Sequence, residues 1–161
     1  LYSFSKAYRL TGHRVGAVVT SKIRMAEIEK FLDTVSVCPN QLGQKAALWG
    51  LQNLSVWLAN ERLEILARRS AIIEHFPILA DHGWQLLGVG AYFAYLKHPY
   101  AIASDQLAKK FVDEASILTL PGTMFVPAGD ESGKSQIRIA FANINVDGIK
   151  VLFNRIAQVS Q

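Results

Sequence analysis

The stretch Leu1 to Gly16, LYSFSKAYRLTGHRVG, holds the residues best placed to do chemistry: Ser3, Ser5, Lys6, Gly12, Arg14 and Gly16. Lysine shifts its pKa readily when desolvated, and a neutral amine is the nucleophile that Schiff-base chemistry needs. Arg14, eight residues after the lysine, carries a permanent planar charge whose fork of N–H donors suits a phosphate. From the residues alone, Lys6 is either such an amine or an ordinary surface charge beside a glycine turn. A second candidate lies near the other end. Gln136–Phe141, QIRIAF, sets one arginine, Arg138, in an otherwise apolar strand. A buried charge is costly without a partner, so Arg138 pairs either with an internal carboxylate or with an anionic ligand.

Other motifs carry less. Gly129–Ser135 (GDESGKS) ends like a phosphate-binding loop but is one residue short between its glycines, and no strand feeds it directly into a helix. Gly88-Val-Gly90 has Phe93 where a third glycine belongs, so close strand packing explains it better than a dinucleotide turn. The four histidines, His13, His75, His82 and His98, show no paired metal-ligand spacing, and no metal is expected. Glu27 and Glu29 read as a solvated helix face, and Trp49 and Trp57 as core or interface. The aromatic group Trp84, Tyr92, Phe93 and Tyr95 fits an aromatic substrate or a strand of a small sheet.

The elements that position these residues follow from periodicity. Arg14–Ser21 is a β-branched run expected as a buried strand, with Thr20 or Ser21 capping the helix after it. Lys22–Thr34 is an amphipathic helix. Cys38-Pro39-Asn40 interrupts the pattern. From Gln41 a long helical region sets Leu48, Leu51, Leu54 and Leu58 on one face, breaks near Ser55 and runs to Pro77. So long a helical stretch suits a connector between domains. Trp84–Leu96 reads as one or two strands with a kink, Ser104 as the cap of a helix over Asp105–Glu114, and Ile117–Leu120 as a short strand. A surface loop over Gly129–Ser135, a strand over Gln136–Phe141 and a helix over Val146–Val159 complete an α+β segment.

The bulk properties narrow the function classes. Half of the 161 residues are hydrophobic and 19% charged, a globular rather than a disordered composition. The net charge of +4 is scattered, with Arg68-Arg69 and Lys109-Lys110 the only adjacent basic pairs, so no nucleic-acid partner is expected. No run reaches the roughly 18 apolar residues of a membrane span, and no membrane partner is expected. The single Cys38 fits a reducing, cytoplasmic setting. The start without Met, inside an apolar run, suggests a fragment.

The register S-x-S-K, seven residues, then R-x-G, with Arg138 about 130 residues later and after Leu120-Pro-Gly-Thr-Met-Phe125, resembles the class I/II aminotransferases of the aspartate aminotransferase type. The resemblance covers essentially the whole chain as the C-terminal portion of a longer enzyme. It implies an α/β, fold-type I architecture. Residues 1–60 would be the end of the large pyridoxal-phosphate-binding domain with a connecting helix, and 61–161 a small C-terminal α+β domain. It further implies pyridoxal 5'-phosphate as cofactor and transfer of an amino group between an amino acid and a 2-oxo acid. Lys6 would form the Schiff base and move the Cα proton. Ser3 and Arg14 would hold the cofactor phosphate, Ser5 less strongly, and Arg138 the substrate carboxylate. A homodimer is implied, since a neighbouring subunit normally completes the pocket. His13 departs from the residues usual before the arginine. The remaining cofactor contacts would precede Leu1, so the isolated chain is expected to be inactive. The same residues serve a C–S lyase of this fold, or the effector domain of a transcription regulator.

Overall fold

A computed structural model describes residues 1–159. The chain divides into two compact units, Leu1–Arg62 and Leu63–Gln161.

The first unit opens with β1 (Tyr2–Ser3), which leads directly into the one-turn helix α1 (Phe4–Ala7); a 3₁₀ turn spans Thr11–His13 and β2 (Gly16–Ala17) follows. β1 and β2 pair antiparallel, Tyr2 opposite Ala17 and Ser3 opposite Gly16. The expected buried strand over Arg14–Ser21 is therefore only two residues long. Val15 is buried, whereas Val19 is 87% exposed. A strand extends only as far as its neighbour offers backbone groups, and β1 offers two residues.

α2 (Lys22–Val35) is a helix as expected, but it buries no residue. Its composition is rich in helix formers, and Glu27 pairs with Lys30 at 2.8 Å. Ser21 stands at its N-cap without a side-chain bond to the helix, so the expected hydroxyl cap is not made. α3 (Gln41–Asn53) is capped instead by Asn40, whose side-chain oxygen accepts from Gly43 N at 2.6 Å. α3 buries Gly43, Ala47 and Gly50, spaced by four and three, while Leu48 and Leu51 stay exposed. The small residues win that face because the backbone must come close. A Cβ at Gly50 would sit 2.9 Å from the Tyr8 ring. Phe4, Val15 and Ala47 form the small core, flanked by Tyr8, Leu10 and Ala17.

The helical region breaks at Leu54, as expected near Ser55. α4 (Ser55–His75) resumes at once, and the division between the units falls inside it. Pro77, which cannot continue a helix but suits a first turn, begins the short α5 (Pro77–Ala80).

The second unit is built on an antiparallel sheet. β3 (Gln85–Gly90) and β4 (Phe93–Lys97) form a hairpin with a register shift between Leu86 and Gly88, the kink expected in Trp84–Leu96. α6 (Ser104–Ala115), β5 (Leu120–Pro121), β6 (Gln136–Ala140) and α7 (Val146–Gln158) follow, and the strand order is β3-β4-β6-β5. Alternation along β4 and β6 turns Ala94, Leu96, Ile137 and Ile139 into the core. They meet Leu107 and Phe111 of α6 and Ile149, Phe153 and Ile156 of α7, each set at helical spacing. Burying each such side chain contributes about 1.5–3 kcal/mol.

Three expectations here change. Ser104 is the first residue of α6 rather than its cap; fully buried, its hydroxyl donates to Gly133 O at 2.8 Å. The strand before Pro121 begins only at Leu120, where it pairs with Arg138. The segment Gly129–Ser135 is not a simple surface loop, because Glu131–Ser135 forms a 3₁₀ turn with Gly133 buried.

Candidate active site

In the first unit, the turn between α1 and β2 gathers three of the five candidate residues. Ser3, Ser5 and Arg14 line one cleft of about 370 Å³, whose wall includes Tyr2 and Gly16. The pairing of Ser3 with Gly16 closes the loop and so brings Arg14 back beside the serines. A Cβ at Gly16 would stand 3.0 Å from Tyr2 O, a tight contact against the backbone of that pair.

Arg14 adopts left-handed backbone, φ 48°, which is uncommon for a residue with a side chain. Such strain gathers at functional sites, where the surroundings hold it in place. Its Nη1 donates to Thr11 O at 3.0 Å, and the side chain is otherwise exposed. Ser5 Oγ donates to Leu10 O across 3.4 Å, while Ser3 Oγ makes no hydrogen bond among the described residues. The cleft thus offers one free hydroxyl, one weakly engaged hydroxyl and a guanidinium, a donor set suited to a small dianion such as a phosphate.

Lys6 lies in α1, directly after Ser5. Its side chain is exposed and does not line the cleft. No carboxylate pairs with it among the described residues, so its ammonium is free to engage another group. His13 is exposed too, and contributes its backbone oxygen as acceptor for Asn40 Nδ2.

Arg138 belongs to the second unit, on the face of β6 turned away from the core and opposite Tyr95. The internal salt bridge that the strand alone permitted is not made: no carboxylate pairs with Arg138 among the described residues. Its guanidinium carbon instead lies 4.3 Å from the ring centroids of both Phe93 and Phe125. Nε is buried without a hydrogen-bond partner. Tyr95 stands edge-on to Phe125 at 6.3 Å. Burial raises the Tyr95 phenol pKa, the Arg138 cation lowers it, and Asp130 raises it. The aromatic surroundings were half legible: alternation puts Phe93 and Tyr95 on one face of a strand, but nothing in the local pattern brings in Phe125. It arrives from the 3₁₀ turn Gly122–Phe125.

The motifs set aside stay so. The 3₁₀ turn at Glu131–Ser135 runs into β6, not into a helix, so its amides do not form a phosphate cradle. Gly88 and Gly90 lie within β3. No group of three or more metal-ligating side chains occurs among the described residues, and no helix there is long and apolar enough to cross a membrane. His98 is buried between Trp84 and Tyr100. Burial lowers its pKa, partly offset by the hydrogen bond between Nε2 and Lys134 O.

Comparison with known proteins gives the family. Residues 1–156 match the family Aminotransferase class I and II. The (5-formylfuran-3-yl)methyl phosphate transaminase of Methanocaldococcus jannaschii is 27% identical over 158 residues, which cover 96% of this chain and 40% of that protein. The glutamate-pyruvate aminotransferase AlaC of Escherichia coli is 28% identical over 166 residues, 94% of this chain and 38% of its own length. Among solved structures, LysN, an α-aminoadipate aminotransferase of Thermus thermophilus complexed with N-(5'-phosphopyridoxyl)-L-leucine, superposes with a TM-score of 0.82 at 18% identity, over 98% of this chain and 40% of that one. The chain thus spans about 40% of the length of these relatives, and its mixed α/β fold is that of part of a fold-type I aminotransferase. With nearly every residue inside the family match, the chain belongs to the class I and II aminotransferases.

Proposed function

We propose that this chain is the C-terminal portion of a pyridoxal-phosphate-dependent aminotransferase that moves an amino group between an amino acid and a 2-oxo acid. The observation that carries the reading is the cleft in which Ser3, Ser5 and Arg14 meet beside the helix that bears Lys6. Residues 1–60 are the end of the large domain with a connecting helix, and 61–161 the small domain.

The residues present fit the cofactor. Arg14 and the free hydroxyl of Ser3 would hold its phosphate, one by charge and the other by a hydrogen bond. Ser5, whose proton faces Leu10 O, is the weaker ligand. Pyridoxal phosphate supplies an electron sink for negative charge developing at the substrate Cα. Lys6 Nζ, which pairs with no carboxylate among the described residues, would serve as the general base that removes that Cα proton and as the acid that returns it. Arg138, with no carboxylate partner among the described residues, pairs bidentately with the substrate carboxylate and so fixes the substrate's orientation.

The enzyme is a cytoplasmic homodimer in this reading. Cys38 is a free, exposed thiol, which suits a reducing compartment. The uncovered apolar side chains of α2 and α3, Ile23, Phe31, Leu48 and Trp49 among them, supply surface for the rest of a longer polypeptide and for a second subunit. The test is an absorbance spectrum of the full-length protein with pyridoxal phosphate, before and after borohydride, beside Lys6→Ala. A visible band, fixed covalently by reduction onto the Lys6 peptide and missing in the variant, is the expected result. Identical behaviour of wild type and variant overturns the assignment.

A further inference from the structure

The way Arg138 is held differs from the way buried arginines are usually held. Most are neutralised by a carboxylate, which would occupy the N–H groups that a ligand needs. Here the guanidinium carbon lies over two phenyl rings, 4.3 Å from the centroid of each. An aromatic face attracts a cation through its quadrupole and takes up none of its hydrogen-bond donors. The two rings come from different places, Phe93 from β4 and Phe125 from the turn Gly122–Phe125. Tyr95 stands edge-on against the Phe125 ring, an interplanar angle of 79°.

The consequence for ligand geometry is direct. The two rings pack against the guanidinium and restrict how its plane can turn. The nitrogen that is buried and without a partner is Nε, which closes the side-on edge. The terminal pair Nη1 and Nη2 is left to meet a planar anion end-on.

We propose that Phe93 and Phe125 are positioning residues that lock the plane of the Arg138 guanidinium, so that it accepts a carboxylate end-on through Nη1 and Nη2. This rests on the reading of Arg138 as the carboxylate-binding residue. Without the rings the side chain keeps its charge but swings through several rotamers, and discrimination in favour of carboxylate-bearing donors falls.

The test uses the full-length enzyme and two amines, the best donor from an amino-acid panel and the amine that lacks its carboxylate. The readout is the ratio of kcat/KM for the two, which a general loss of folding or cofactor leaves unchanged. Phe93→Met and Phe125→Met keep side-chain bulk without the aromatic face. Each is expected to lower the ratio about tenfold, the scale of one well-placed cation–π contact, and Phe93→Tyr to restore it. Arg138→Leu should lower it further. If Arg138→Leu collapses the ratio while both Met variants leave it unchanged, the proposal is overturned and the carboxylate role of Arg138 survives. If Arg138→Leu itself leaves the ratio unchanged, the carboxylate role falls and this proposal with it. Phe125 is 43% exposed, so its variant folds and reads out even where the Phe93 variant is lost to misfolding.

Discussion

Replacing Gly133 by alanine tests whether that glycine serves packing or ligand binding. A Cβ at Gly133 would stand 2.8 Å from Gly122 C, Thr123 N and Val126 Cγ2. The converse holds at Gly122, where a Cβ would lie 2.6 Å from Gly133 O and Gln136 Cβ. Two of the three atoms facing Gly133 are backbone and cannot rotate away, so the turns Gly122–Phe125 and Glu131–Ser135 must move apart. Overpacking a closed site costs about 1–3 kcal/mol, and the backbone neighbours place this case near the top of that range. For a unit of this size, about 2–3 kcal/mol corresponds to a fall in Tm of roughly 10–20 °C. The assay is thermal unfolding followed by Trp84, which is 3% exposed and becomes the only tryptophan once Trp49 and Trp57 are changed to Phe. Gly129→Ala is the control. Its φ of +89° strains an L residue, but the space around it is open, and the cost should stay near about 1 kcal/mol. A Gly133→Ala loss below about 0.5 kcal/mol, the level of an ordinary surface change, refutes the close-packing argument.

Three further outcomes are expected. Ser104→Ala removes one of two donors to the Gly133 carbonyl, which keeps the Gln136 N–H, and should cost about 0.5–1.5 kcal/mol, less than additively when combined with Gly133→Ala, as a double-mutant cycle in urea would show. Asn145→Ala removes the oxygen that accepts from Gly148 N at 2.8 Å and caps α7; urea unfolding should report a loss of about 1 kcal/mol. Burial lowers the His98 pKa below its ordinary value, so the folded chain binds fewer protons than the unfolded one. Stability should therefore fall as pH drops through about 6.5 and stop falling on this account below the folded pKa; urea midpoints measured down that range should show His98→Gln flattening the slope.

Periodicity carried much of the fold. The helices over Lys22–Val35 and Val146–Gln158, the break before Ser55 and the strand at Gln136–Ala140 were legible because each has an apolar rhythm or a stop signal of its own. The errors came where tertiary packing outweighs local pattern. The leucine stripe of α3 lost its place to Gly43, Ala47 and Gly50, since a close backbone approach rewards absent side chains, which hydropathy does not register. Arg14–Ser21 has the composition of a strand, but strand length is set by a partner elsewhere in the chain. Ser104 resembles a cap in sequence and is claimed instead by a carbonyl 29 residues away. At the candidate site, the register singled out Ser3, Ser5, Lys6 and Arg14, of which the fold gathers all but Lys6 into one cleft. It was silent on Phe125, whose contact with Arg138 exists only after the turn and the strand have packed.

The unequal cores give the chain two tiers of backbone protection. Among the described residues, sixteen buried apolar side chains stand behind β4, β6, α6 and α7, against three behind β1, β2 and α3. Amide protons of the sheet strands therefore exchange with solvent only through openings that expose a large apolar area. Those of α2, which buries nothing, exchange through fraying of single helical turns. In deuterated water the residues flanking Arg138 would still hold protons long after those around Arg14 had turned over. The cleft lined by Ser3, Ser5 and Arg14 thus belongs to the unit with the smaller core.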